Sequence, residues 1–245
     1  MDKKIAKLLY QPYKWLVFMP FLGANTLFFA SAAIASSFVV PGEKAGKFLG
    51  RMWSRVNAKA TPFSVEVIGR ENMEPGKSYI ICSNHQSHFD IFVIYGWLEM
   101  DIRWVMKMEL KGIPVFGKAC ERIGHIYIDR SDSHKAVKSL EEAKSRIKDG
   151  ACVVFFPEGT RSRDGRLQPF KKGAFRMALD IGLPILPVTI TGTRDILPAK
   201  SMDLFPGKAV LKIHKPVETA SYGKKDTNRL MDAVHSVIAS GLMQG

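Results

Sequence analysis

Cysteine is scarce in this chain of 245 residues: there are three, Cys82, Cys120 and Cys152, an odd number at wide spacings. That excludes a disulfide framework and a zinc site built on clustered thiolates, and it suits a reducing compartment. Cys82 and Cys152 sit inside apolar runs, where a free cysteine serves as a small core residue. Acidic side chains are also few. The 23 Asp and Glu are outnumbered by 36 Lys and Arg, giving a formal charge of +13, which implies an acidic partner: nucleic acid, an anionic membrane or a phosphorylated substrate. No module of interleaved basic and aromatic residues is present, so nothing beyond the charge supports nucleic acid. Internal repeats and low-complexity tracts are missing too, and no serine occupies the Gly-x-Ser-x-Gly turn of a hydrolase nucleophile. With 46% hydrophobic residues the chain is able to build a sizeable core.

Charge itself is missing from Trp15 to Val40, an apolar stretch longer than the roughly 20 residues a helix needs to cross a bilayer. Pro20, Gly23 and Asn25 lie within it and invite a bend. Both flanks are basic: Lys3, Lys4, Lys7 and Lys14 precede the stretch, and Lys44, Lys47, Arg51, Arg55 and Lys59 follow it. Cytoplasmic flanks carry the excess of Lys and Arg, so a single crossing would strand one of them. A helical hairpin with halves of about 12 residues, too short to cross twice, dips into one leaflet and returns. The expectation is a monotopic anchor over residues 1–42 and an α/β domain over residues 43–245, at the cytoplasmic face of the inner or cytoplasmic membrane. Ala33-Ile34-Ala35 resembles a signal cleavage site, but the apolar stretch is long for a signal peptide.

Beyond the flank, the runs SYIICS, IRWVMK, HIYIDR, CVVFF, ILPVTI and VLKIHK read as strands. They are mostly continuous rather than alternating, as in strands buried on both faces. Between HIYIDR and CVVFF, Val137, Leu140, Ala143 and Ile147 fall at helical spacing, with Ser133 as cap and Gly150 as stop. A second helix is expected from Asp226 to Leu242. These elements predict an α/β fold with a largely parallel or mixed sheet flanked by helices, and in such sheets the chemistry gathers beyond the carboxyl ends of the strands. The polar clusters NHQSHFD, FPEGTRS and TGTRD all follow strand ends.

In NHQSHFD, His85 and Asp90 are five residues apart, about 140° out of phase on a helix. The pair works across a turn: with a helix opening near Ser87 or His88, His85 folds back onto Asp90 in the first helical turn. A carboxylate bonded to one ring nitrogen fixes the tautomer and leaves the other to remove a proton. The bland alternative is that His85 caps the helix while Asp90 complements its dipole. Ser83, Ser87 and Cys82 are neighbouring candidate nucleophiles, and His88 reads as a surface or structural residue. In FPEGTRS, Gly159 permits a tight turn, Arg161 presents a fork suited to phosphate, and Glu158 offers an acceptor for a hydroxyl or for the arginine. Lys107 and Arg130 lie at two further strand ends. Lys171 and Lys172 fit phosphate, membrane or water.

Four blocks in order, NHQSHFD (84–90), KMELKGIPVFGKACERIGHIYIDRS (107–131), FPEGTRS (156–162) and LPILPVTITGT (183–193), resemble the lysophosphatidic acid and glycerol-3-phosphate acyltransferase family, whose signature is His-x4-Asp. The resemblance is to the bacterial 1-acylglycerol-3-phosphate branch. It implies transfer of a fatty acyl chain from acyl-CoA or acyl carrier protein to the 2-hydroxyl of lysophosphatidic acid, giving phosphatidic acid. By that likeness His85 is the base and Asp90 its partner, Glu158, Gly159 and Arg161 handle the glycerol phosphate, and Lys107 and Arg130 contact phosphate as well. Pro184 and Pro187 fall in a block that forms a structural or acyl-donor wall. No metal and no cofactor is implied, the thioester being a substrate; the partners are the lysolipid, the thioester, an anionic lipid surface and an acyl carrier protein. Acylation of another lysolipid or of glycerol 3-phosphate is the nearest alternative, and a non-catalytic basic membrane-binding protein is the alternative of another class.

Overall fold

The computed structural model describes residues 8, 10–61, 63–129, 139, 141, 144, 147, 150–201 and 203–243. Seven strands form one sheet: β1 (Phe63–Ile68), β2 (Ile80–Ser83), β3 (Asp101–Lys107), β4 (Ile126–Ile128), β5 (Ala151–Phe155), β6 (Ile185–Thr191) and β7 (Gly207–Ile213). Their order across the sheet is β1-β7-β6-β2-β5-β3-β4. Every neighbouring pair is parallel except β6 with β7. The six runs read as strands from sequence are all present.

β1 is the strand that sequence reading misses. It lies at the sheet's edge and its residues alternate between half-buried and exposed, so it shows no continuous apolar run. The central strands do: every residue of β2 and β5 is buried. Along β2 the side chains alternate between two cores. Tyr79 and Ile81 join Phe89, Ile94 and Leu186 on one face, while Ile80 and Cys82 join Val153, Phe175 and Leu230 on the other. Burying each large apolar side chain contributes roughly 1.5–3 kcal/mol. The three cysteines are free and buried, and burial pushes the Cys152 thiol up to about 12.

Seven helices among the described residues cover these faces: α1 (Met19–Ser36), α2 (Gly42–Lys59), α3 (Phe89–Trp97), α4 (Phe116–Arg122), α5 (Gly173–Ile181), α6 (Thr193–Ile196) and α7 (Thr227–Leu242). Leu230, Val234 and Ile238 of α7 are fully buried, the spacing the sequence predicts for this helix. The predicted helix between β4 and β5 lies largely outside the described residues.

The N-terminal arm corrects one expectation. Helical structure runs unbroken from Tyr10 to Ser36, 27 residues of mean hydropathy 1.6, long and apolar enough to cross a membrane. Pro20 sits at the start of α1, directly after a π turn over Lys14–Phe18 in which Met19 N–H donates to Lys14 O. That wider turn carries the proline without a reversal. The chain reverses instead at Ser37–Pro41, so the hairpin arms are α1 and α2, both longer than expected. Trp53 Nε1 of α2 donates to Thr26 Oγ1 of α1 at 3.0 Å, and Ser54 Oγ of α2 donates to Phe92 O of α3 at 2.6 Å. α1 also packs on α4. The boundary expected after residue 42 thus falls at the start of a helix that is anchored to the sheet domain. The outer faces are greasy: Leu16 is 77% exposed, Phe28 66%, Phe38 72% and Phe48 65%.

Candidate active site

The strand order explains the site. β6, β2, β5 and β3 are consecutive and run in one direction, so the segments leaving their carboxyl ends are brought side by side. They carry Thr193, His85, Arg161 and Lys107 respectively.

His85 lies in the turn between β2 and α3, and Asp90 lies in the first turn of α3. His85 Nδ1 is 2.8 Å from Asp90 Oδ2. The same oxygen accepts the backbone N–H groups of Gln86 at 2.7 Å and Ser87 at 2.9 Å. Asp90 Oδ1 accepts Thr193 Oγ1 at 2.5 Å. A fully buried carboxylate is costly unless its lone pairs are satisfied, and four donors satisfy this one. With Nδ1 committed, Nε2 is the nitrogen left for chemistry.

The His85 backbone is held as firmly. Its N–H donates to Glu158 Oε1 at 2.6 Å and its carbonyl accepts Ser162 N–H at 2.8 Å. Glu158 Oε2 accepts Gln168 N–H at 2.9 Å. Burial pushes the Glu158 carboxyl up to about 7, against the pull of the two backbone N–H groups. Asn84 fastens the turn to β6: its Nδ2 donates to Ile190 O at 2.8 Å and its Oδ1 accepts Ile190 N–H at 2.7 Å. The His85 ring stacks on Phe156 at 3.8 Å between centroids, 12° from parallel.

His85 borders a cavity of about 670 Å³, within the usual range for a small-molecule site. Much of its lining is apolar, from Phe29 and Ala33 of α1, Leu49 and Trp53 of α2, and Phe116 and Ile123 of α4. Tyr95 Oη and His125 Nε2 lie 3.4 Å apart on its wall. Burial, aided by the Arg103 guanidinium, holds His125 down at about 3, so this imidazole stays neutral. Near His85 the lining turns polar and cationic, with His88, Lys107, Arg161 and Lys200. Gly159 adopts φ 75°, and a Cβ there would press on the Lys171 side chain at 2.9 Å.

A histidine held by a carboxylate beside an apolar cavity with a cationic mouth is the arrangement that comparison with known proteins then places. The family model described as Acyltransferase matches residues 64–191. The chain belongs to the acyltransferase family. A 1-acyl-sn-glycerol-3-phosphate acyltransferase of Chlamydomonas reinhardtii is 31% identical over 246 residues, which cover 98% of this chain and 70% of the relative. A chloroplastic enzyme of the same name from Brassica napus is 36% identical over 198 residues, covering 80% of this chain and 55% of the relative. The crystal structure of the 1-acyl-sn-glycerophosphate (LPA) acyltransferase PlsC from Thermotoga maritima matches with TM-score 0.83 at 29% identity, over 98% of this chain and 96% of that one.

Within this acyltransferase the residues expected from sequence divide into groups. His85 and Asp90 meet as predicted, across a turn. Gly159, Arg161 and Lys107 border the same cavity as His85; Arg130 lies outside the described residues. Glu158 corrects an expectation: instead of facing a hydroxyl or Arg161, both its oxygens accept backbone N–H groups, and it ties the His85 turn to the segment after β5. Ser83 and Ser87 are buried and spend their hydroxyls on the carbonyls of Asn84 and Leu197, so neither is placed as a nucleophile. Pro187 pairs with Cys82 inside the sheet and Pro184 O accepts Ile80 N–H, a structural role. His88 is exposed, though at the cavity mouth. Sequence reading misses Thr193 and Phe156. TGTRD marks a polar strand end, but nothing in it points to a carboxylate 103 residues away. Phe156 passes for the end of a buried strand. Among the described residues no cluster of His, Cys, Asp and Glu is arranged to hold a metal ion.

Proposed function

We propose that the chain transfers a fatty acyl group from an acyl thioester to the 2-hydroxyl of 1-acylglycerol 3-phosphate, forming phosphatidic acid. The observation that carries this reading is the cavity, which joins a histidine fixed by Asp90 to an apolar lining and a cationic mouth. The acyl chain lies against the apolar lining, and Arg161 and Lys107 hold the acceptor's phosphate, the backbone at Gly159 turning to admit it. His85 Nε2 removes the proton of the 2-hydroxyl as its oxygen attacks the thioester carbonyl. The imidazolium, stabilised by Asp90, returns that proton to the departing thiolate as the carbonyl re-forms. The new ester replaces the thioester and one free thiol is released, so the reaction balances without a covalent enzyme intermediate.

The test is purified protein with lysophosphatidic acid and a panel of acyl-CoA and acyl carrier protein donors, following thiol release and product mass. Stoichiometric thiol and phosphatidic acid are expected. Lipid binding without thiol release would sink the catalytic reading and leave a non-catalytic membrane protein.

For the membrane, we propose monotopic insertion of the α1–α2 hairpin at the cytoplasmic face. One side of α1 is packed on α2 and α4, and α2 is bonded to α3, so crossing the bilayer would have to strip α1 from the domain. The exposed Phe28, Phe38 and Phe48 then enter the leaflet, and the Lys and Arg of α2 stay near anionic headgroups. Tags on the two termini are expected to be reached by protease from the same side of the membrane. Protection of the N-terminal tag alone would favour a span.

A further inference from the structure

One cation at the cavity mouth has no role in the scheme above. Ser201 N–H donates to Pro198 O at 3.1 Å, closing a β-turn with Ala199 and Lys200 at its centre. Lys200 has φ 61°, whereas Ala199 is not among the residues of positive φ. Positive φ at the third position alone is the signature of a type II turn, where glycine or asparagine is favoured. A long side chain therefore stands where local backbone preference opposes it, a conflict that concentrates at functional sites. The turn is also aimed. Ser87 Oγ donates to Leu197 O at 2.7 Å, tying this segment to the His85 turn. Lys200 lines the cavity together with His85, His88 and Arg161. It is exposed and forms no ion pair among the described residues.

We propose that Lys200 is a third phosphate ligand for the acceptor, and that it selects a terminal phosphate monoester over a phosphodiester. The proposal rests on the acyl-transfer reading. In the acceptor, the hydroxyl that loses its proton and the phosphate stand on neighbouring carbons, so a phosphate at this mouth is within a few ångströms of the His85 reaction. The donor's first phosphate stands at the far end of the pantetheine arm, well away from its thioester. A monoester carries about −1.5 to −2 near neutral pH, whereas a diester carries a single charge. Arg161 and Lys107 suffice for the one charge; a third unpaired cation repays its desolvation best against a second. Lysine suits this place because it acts as a point charge on a flexible stem and needs no fixed fork geometry.

Four proteins decide the matter: wild type, Lys200→Ala, Lys200→Gly and Lys200→Arg, each assayed with lysophosphatidic acid and with lysophosphatidylglycerol, a diester. Loss of a charge-assisted contact is expected to raise KM for lysophosphatidic acid about tenfold in the Ala and Gly variants, with kcat and the KM for the thioester little changed. The preference for monoester over diester falls by a similar factor, and the Arg variant recovers most of it. Lys200→Gly relieves the turn, so its Tm equals or exceeds that of wild type while its KM is still raised; a merely structural lysine would not give that combination. Unchanged monoester preference in an active Lys200→Ala protein overturns the proposal, as does a rise confined to the thioester's KM. Wild-type protein that acylates no lysolipid removes the functional reading itself, and this inference with it.

Discussion

The turn that carries His85 and the mouth that carries Arg161 are neighbours held in opposite ways. Around His85 the partners are complete: Asp90 has four donors, the His85 N–H and carbonyl are both bonded, and Asn84 grips β6 through two bonds. At the mouth, Lys107, Arg161 and Lys200 line the cavity without an ion pair among the described residues. The two arrangements divide the work between alignment and binding. Groups that must be aligned to a fraction of an ångström are fixed before substrate arrives, because preorganisation lowers the barrier without reorganisation at the moment of reaction. On the proposed reading, the cations at the mouth are left unpaired because a carboxylate already beside them would compete with the acceptor's phosphate.

If this division is right, substitutions in the turn cost turnover and substitutions at the mouth cost acceptor affinity. The largest effect is expected from His85→Ala, a fall in kcat of about 10²- to 10⁴-fold, the range for a lost general base. Folding survives, since Asp90 keeps its bonds to Gln86, Ser87 and Thr193. Single-turnover thiol release beside a circular dichroism melt checks both halves, and near wild-type rates in a folded variant would reject the assignment. Next comes Glu158→Gln. One carboxylate oxygen becomes an NH₂, so either His85 N–H or Gln168 N–H faces a donor. A displaced His85 backbone costs about 10²-fold in kcat, with KM for the acceptor little changed. A KM effect instead would return Glu158 to the phosphate site and dissolve the contrast.

That contrast was only half legible in the sequence. The strands at the centre of the sheet announce themselves because burial on both faces demands continuous apolar runs, and the polar clusters at their ends follow from the parallel topology. The His85–Asp90 contact was readable because it is local, closed within one turn. What was hidden is long-range or backbone-directed. Glu158 sits in a segment rich in charge, and sequence cannot distinguish a carboxylate turned outward to a ligand from one turned inward to two N–H groups. Thr193 reaches Asp90 only because β6 lies beside β2, a fact of strand order. The position of the hairpin is hidden for a third reason: Pro20, Gly23 and Asn25 each weaken a helix locally, but packing of α1 on α2 and α4 overrides that weakness.

Substitutions at the mouth are expected to have smaller effects. Arg161→Ala is expected to raise KM for lysophosphatidic acid about tenfold through loss of a charge-assisted contact, and to leave kcat within a small factor. Steady-state kinetics with acceptor varied at saturating thioester separates the two; a loss confined to kcat would move Arg161 into the aligned group.

The smallest expected effect is one of pH on stability, and the difference between wild type and Glu158→Gln isolates the part due to Glu158, because the buried His125 and the half-buried His214, both held below 6.5, titrate alike in the two proteins. Burial raises its carboxyl from 4.5 to about 7 in the folded chain. Between those values the folded state holds a proton that the unfolded state has released, so stability contributed below 4.5 is lost as pH rises toward 7. Thermal melts from pH 5 to pH 8 should therefore show wild-type Tm falling relative to Glu158→Gln, which has no proton to lose, by several degrees, roughly the shift that 2–3 kcal/mol produces in a domain of this size. The two backbone N–H groups on Glu158 favour its charged form, so its carboxyl rises less than burial alone would raise it. Parallel curves for the two proteins would mean that those N–H groups outweigh burial, and that the clamp on His85 is a permanently ionised carboxylate.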